Sequence, residues 1–212
     1  MLNTHHLMFD IDGTLIQSFE FDEQCYVDAI YDVFGQTLDC NWHEYPHITD
    51  TGILQSFIEK NKRQESLGQT LGLVKASFIK GIKQHINNNP VAPTNGALEF
   101  FKRIKKDFTV SIATGGWRET AELKLVSAGF DISNVAISSS NDHYARTEIM
   151  KHSLSLFNIT DLSQVTYFGD AEWDKAACEK LGINFISVGD RIQHHQQICD
   201  FNELDKALSF IR

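Results

Sequence analysis

The stretch Met8-Phe9-Asp10-Ile11-Asp12-Gly13-Thr14-Leu15 decides how this chain is read. The short apolar run Leu7-Met8-Phe9 leads into an acid and then a glycine, the pattern of a buried strand ending in a turn. Residues two apart at a strand end project to the same side, so Asp10 and Asp12 are expected to stand together. Gly13 permits a tight turn with close backbone approach. Neighbouring carboxylates repel, and their proton affinities separate unless a cation intervenes. One can then serve as a nucleophile and the other as a proton carrier. An Asx turn beside a solvated acid would give the same local pattern, so the other strand ends carry the decision.

Working outward, four more apolar runs end in small or polar residues. Residues 108–113 run into Thr114-Gly115-Gly116, and 135–137 into Ser138-Ser139-Ser140-Asn141. Residues 164–168 run into Gly169-Asp170, and 184–188 into Gly189-Asp190. Helical patterns lie between them at 95–106, 117–128, 146–157 and 172–181. In the second, Ala121, Leu125 and Ala128 share a face. Strands alternating with helices predict an α/β fold: a Rossmann-like parallel sheet with helices on both faces and ligands beyond the carboxyl ends of the strands.

Residues 18–89 break the rhythm. They hold no convincing alternating strand and read as helices near 22–34, 52–61 and 70–87. The expected organisation is an α/β core domain formed by 1–17 and 90–212, with a helical domain of 18–89 inserted after the first strand and packing over the strand ends. The polar loop Tyr45-Pro46-His47-Ile48-Thr49-Asp50-Thr51-Gly52 inside it is the candidate specificity segment, with His47, Thr49 and Asp50 as its candidate residues.

The formal charge of −9 argues against general binding of nucleic acid or anionic membranes. No apolar run approaches the ~20 residues of a membrane helix. The N-terminus lacks a basic start followed by a long apolar region. Cys25, Cys40, Cys178 and Cys199 form no C-x-x-C pair, which fits free thiols in a reducing cytoplasm.

Each later strand end adds a chemical group. Thr114-Gly115 can offer a hydroxyl and backbone N–H groups to a phosphate, or simply begin a helix. Arg146 opens the next helix with a permanent charge and a planar fork of donors. Asp170 and Asp174 suit a helix N-terminus without any function, and also supply the hard oxygen ligands that Mg²⁺ prefers. Four converging carboxylates without a metal would be electrostatically costly.

Taken together, these residues resemble the haloacid dehalogenase-like hydrolases, in the phosphatase branch with a helical cap between the first and second motifs. Asp10-Ile11-Asp12-Gly13-Thr14 matches the first motif, D-x-D-G-T. Thr114 matches the second, Arg146 stands where the third usually has Lys, and Gly169-Asp170 with Asp174 matches the fourth. Lys151 is the alternative third-motif cation. The resemblance implies Asp10 as nucleophile, forming an aspartyl-phosphate, and Asp12 as general acid and base. It implies Thr114, Gly115 and Arg146 at the phosphate. It implies Mg²⁺ held by Asp10, the Asp12 carbonyl, Asp170 and Asp174. The presence of Asp12 disfavours carbon–halogen and carbon–phosphorus cleavage, whose family members lack that second acid. The expected substrate is a small phosphorylated metabolite. Phosphoglycolate is handled in this branch, but Gln17 stands where an acid is common there, which weakens any transfer of substrate identity. A phosphosugar mutase with the same chemistry is the alternative, followed by a non-catalytic phosphate- or partner-binding module.

Overall fold

The computed structural model describes residues 5–61, 63 and 66–211. Its centre is β1 (His6–Phe9), where Leu7, Met8 and Phe9 are wholly buried. Side chains alternate across a strand, so Leu7 and Phe9 join one hydrophobic cluster while Met8 joins another. Each such burial is worth about 1.5–3 kcal/mol. His6 is held between Thr109 Oγ1 at 2.9 Å and Ser111 Oγ at 2.8 Å, and burial pushes its pKa down to about 4.

The chain then forms the short β2 (Ile16–Gln17), followed by the helices α1 (Phe19–Phe34), α2 (Asp50–Lys60) and α3 (Leu67–Asn88). It returns through β3 (Ala92–Pro93), which pairs antiparallel with β2. This two-stranded ribbon lies where the helical segment leaves and rejoins the α/β unit. Thereafter come α4 (Ala97–Ile104), β4 (Thr109–Ala113), α5 (Arg118–Ser127), β5 (Ala136–Ser138) and α6 (Arg146–Ser155). The chain ends with β6 (Val165–Gly169), α7 (Glu172–Leu181), β7 (Asn184–Val188), β8 (Gln197–Ile198) and α8 (Leu204–Phe210).

The main sheet has the order β5-β4-β1-β6-β7-β8, and every pairing in it is parallel. Residues of α4, α5 and α8 join the Leu7–Phe9 cluster, and those of α6 and α7 join the Met8 cluster, so helices cover both faces. The strand order reverses around β1, with β4 on one side and β6 on the other. Such a switch point opens a crevice at the carboxyl ends of the strands.

A third cluster fills the helical segment with Tyr26, Ile30, Phe57, Val74, Phe78 and Ile82, and takes in Trp117 from the loop after β4. No helix among the described residues is long and apolar enough to cross a membrane. The free thiols range from buried (Cys178) to exposed (Cys40, Cys199).

Candidate active site

Asp10 follows β1 directly, and its backbone N–H donates to the Phe168 carbonyl of β6 at 2.9 Å. The sheet ladder thus continues one residue beyond the strand and fixes the carboxylate at the crevice, only 4% exposed. Gly13 then turns with φ +82°, and a Cβ there would lie 2.3 Å from Asp170 Oδ2. Only glycine lets the loop after β1 approach the loop after β6 this closely.

Asp170 and Asp174 arise from the next crossover. Asp170 directly follows β6, while Asp174 sits in the first turn of α7 and accepts from the Ala171 N–H at 3.2 Å. This reach-back satisfies a helix-terminal donor and points the acid toward the strand ends. Oxygens of Asp10, Asp170 and Asp174 all lie within 4.8 Å of one another.

Burial raises Asp10 to about 8, reinforced by the charge of Asp174 and opposed by Arg146. Burial likewise raises Asp170 to about 6, with Asp10 adding to it and Arg191 opposing. Asp174 also rises to about 6, through burial, with Arg146 opposing and Asp170 reinforcing. Three hard-oxygen donors held together against their own repulsion fit a small divalent cation in chemistry and spacing.

Arg146, the first residue of α6, reaches across this cluster. Its guanidinium lies 2.9 Å from Asp174, 3.4 Å from Asp10 and 3.3 Å from the Ile48 carbonyl. Lys151 is on the exposed side of the same helix, paired with Glu148 at 2.8 Å. Of the two cations, Arg146 is therefore the one that meets the acids. Its buried Nε has no partner among the described residues. A Cβ on Gly115 would lie 2.5 Å from an Arg146 nitrogen, so the glycine makes room for the guanidinium. Thr114 is buried at the end of β4, and its hydroxyl accepts from the Gly116 N–H at 3.3 Å.

Asp12 occupies a different niche. Its Oδ1 accepts from Ser18 and, at 2.5 Å, from Lys124 on α5. Lys124 also pairs with Asp22 on α1. A cavity of about 100 Å³ lies between the strand ends and the helical segment. Asp10, Asp12, Thr114, Gly115 and Arg146 line one side; Asp22, Tyr26, Trp42, Thr49, Asp50 and Ile53 line the other. A wider cleft of about 1290 Å³ opens beside Gly13 and Arg191, and Asp10 and Thr114 are not among its walls.

The loop residues singled out from sequence separate here. Thr49 caps α2 by accepting from the Gly52 N–H at 3.1 Å, and donates to the Tyr144 carbonyl at 2.6 Å. Asp50 is buried, accepts from the Trp117 N–H at 2.7 Å, and is raised well above the usual carboxylate range by burial and then by Asp22. Both line the cavity. His47 does not; its ring packs edge-on against Tyr144, with centroids 5.0 Å apart.

Sequence reasoning missed two cations. Arg191 follows β7, pairs with Asp170, and lies 4.0 Å over the Phe19 ring. Its signal was its place after Gly189-Asp190, one more strand end. Lys124 carried a clearer one. It falls on the Ala121, Leu125, Ala128 stripe of α5, where a charge has no business unless it meets a partner.

A parallel sheet that gathers an acid pair, a hydroxyl, a guanidinium and two further acids at its switch point defines a class of α/β enzyme built on a buried carboxylate. The chain belongs to the haloacid dehalogenase-like hydrolases, whose family model matches residues 7–188. Among solved structures, it resembles a hydrolase from Pseudomonas syringae at TM-score 0.76 and 19% identity, covering 95% of this chain and 98% of that one. CbbY from Rhodobacter sphaeroides, in complex with phosphate, matches at TM-score 0.76 and 14% identity, over 100% of this chain and 99% of that one. β-Phosphoglucomutase from Clostridium difficile matches at TM-score 0.73 and 14% identity, over 100% and 99%. At these identities the likeness shows a shared fold. No curated protein sequence matches significantly.

Proposed function

We propose that this chain is a Mg²⁺-dependent phosphatase that hydrolyses a small phosphomonoester through an aspartyl-phosphate at Asp10. The observation that carries this reading is the buried Asp10 carboxylate lining a small cavity between the strand ends and the helical segment. Arg146 stands 3.4 Å from it, and Thr114, Gly115 and Asp12 line the same space. A cation, a hydroxyl and backbone donors there suit the oxygens of a phosphoryl group.

An Asp10 oxygen attacks phosphorus and forms the acyl phosphate as the bond to the ester oxygen breaks. Asp12 gives its proton to the departing alkoxide, then takes one from the water that attacks the acyl phosphate. Inorganic phosphate leaves, and both acids return to their starting states. Arg146 and Thr114 hold the phosphoryl oxygens throughout. Mg²⁺ would be held by the carboxylates of Asp10 and Asp170 and the Asp12 carbonyl, with Asp174 in support. When bound it supplies positive charge to the transferring group and relieves the repulsion among the acids.

Residues 18–89 act in this reading as a cap over the core formed by 1–17 and 90–212, excluding bulk water from the acyl phosphate. Its candidate specificity residues are Thr49 and Asp50, which line the cavity, and His47 through its packing on Tyr144. The free thiols suit a reducing compartment such as the cytoplasm.

The test is a panel of phosphorylated metabolites with Mg²⁺, following inorganic phosphate and substrate together. Equal rates of phosphate release and substrate loss support hydrolysis. Substrate loss without phosphate release would favour phosphosugar mutase chemistry on the same acids. The absence of turnover on every ester, with Mg²⁺ present, would refute both.

A further inference from the structure

Lys124 is 1% exposed, yet it sits on the apolar stripe of α5, where an aliphatic residue would pack without losing hydration. Burying an ammonium ion costs several kcal/mol unless partners compensate. Two partners do so, and they come from different parts of the fold. Asp12 Oδ1, on the loop after β1, lies 2.5 Å away, and Asp22 is contributed by α1 of the helical segment. Ser18, at the foot of α1, donates to the same Asp12 oxygen. Asp12 Oδ1 is therefore doubly anchored. Oδ2 accepts no hydrogen bond among the described residues and lies on the Gly116 side, where a Cβ would be 4.0 Å from it and 3.8 Å from Thr114 Oγ1.

We propose that Lys124 is a positioning residue for proton transfer: with Ser18 it fixes Asp12 Oδ1, leaves Oδ2 to carry the proton, and through Asp22 ties that alignment to the seating of α1. The inference rests on the phosphatase reading above. It differs from a purely structural salt bridge in one respect. A structural bridge serves every substrate equally, whereas an aligned acid matters only where the leaving group needs a proton.

The test compares Lys124→Met with the parent protein, both in Mg²⁺, on an alkyl phosphate and on p-nitrophenyl phosphate, whose phenolate departs unaided. The quantity read is kcat/KM. It stops at the first irreversible step, loss of the leaving group, and so leaves out the later use of Asp12 as a base. General acids contribute about 10²–10⁴-fold, so misalignment is expected to lower kcat/KM about 10–100-fold on the alkyl ester and less than about threefold on the aryl ester. Ser18→Ala removes the other anchor outside the α5 core and should give the same selective pattern at smaller size. It serves as the deciding variant should Lys124→Met fail to fold. Parallel losses on both esters, or no loss on either, overturn the proposal while leaving the phosphatase reading in place. The alkyl ester is one that the parent turns over in the metabolite panel above; a parent inert toward every ester of that panel overturns the two together.

Discussion

Asp10 is costly to the metal-free fold, because burial and Asp174 both raise its proton affinity. Asp10→Asn removes that conflict along with the nucleophile. Turnover should fall by at least about 10³-fold, while the metal-free protein at pH 8 becomes more stable. Each 1 kcal/mol gained raises the melting temperature by about 2–4 °C in a chain of this size. A variant that melts lower than its parent would mean that Asp10 is a structural anchor. The same acids set a pH dependence. Asp10 at about 8, and Asp170 and Asp174 at about 6, stand above the ordinary value of 3.8. From about pH 4 to about pH 8 these three acids bind more protons in the folded chain than in the unfolded one, so their contribution to metal-free stability falls as pH rises through that window. Metal binding needs the acids ionised and offsets this loss. Thermal melts should show a larger gain from Mg²⁺ at pH 8 than at pH 5.5; the reverse order would argue against these acids as its seat. Asp10, Asp12, Thr114, Arg146, Asp170 and Asp174 could be picked from the sequence because each lies just past a strand or in the first turn of a helix. Lys124 and Arg191 could not be paired that way. Their partners are 112 and 21 residues distant in the chain, and local patterning carries no such distance.

At the scale of elements, the site depends on two loops that touch. Gly13, after β1, has φ +82°, and a Cβ there would meet Asp170 Oδ2 at 2.3 Å. Gly13→Ala faces backbone strain of about 1–3 kcal/mol and must also displace Asp170. Urea unfolding should report the first loss, and a Mg²⁺ titration followed by melting should report the second as weakened binding. Loss of stability with unchanged Mg²⁺ dependence would mean that Asp170 does not need its present position. The strands and helices around these loops were readable from alternation and length. The short β2, β3 and β8 were not, since two residues carry no period. The start of α2 was read two residues late because Thr49, its cap, lay in a loop that looked continuous through Gly52.

At the scale of the molecule, the helical segment is joined to the loops at the strand ends by both packing and hydrogen bonds. Trp117, from the core loop after β4, is buried in the segment's own cluster against Tyr26 and Phe78. The N-terminus of α2 is joined to that loop: the Asp50 N–H donates to the Gly115 carbonyl at 2.9 Å, and Trp117 Nε1 donates to Thr51 Oγ1 at 2.9 Å. The Thr51 hydroxyl then donates to the Ser140 carbonyl at 3.0 Å, so one side chain joins the segment to the loops after β4 and β5. Thr51→Val keeps the shape and removes both side-chain bonds. A buried polar group left unpaired costs about 1–3 kcal/mol, and here that cost falls on the closed arrangement alone if the segment opens as a unit. The population competent to hold substrate then shrinks, and apparent affinity weakens by the same factor, about tenfold for each 1.4 kcal/mol. KM should therefore rise several-fold or more, and backbone amides of α2 should exchange hydrogen faster while those of α7 keep their protection. Equal loss of protection in α2 and α7 would mean that the bond stabilises the whole fold and that closure is not a separate equilibrium. Selective exposure of α2 would make Thr51 a latch, and would identify the junction between α2 and the loop after β4 as the place where substrate access is controlled.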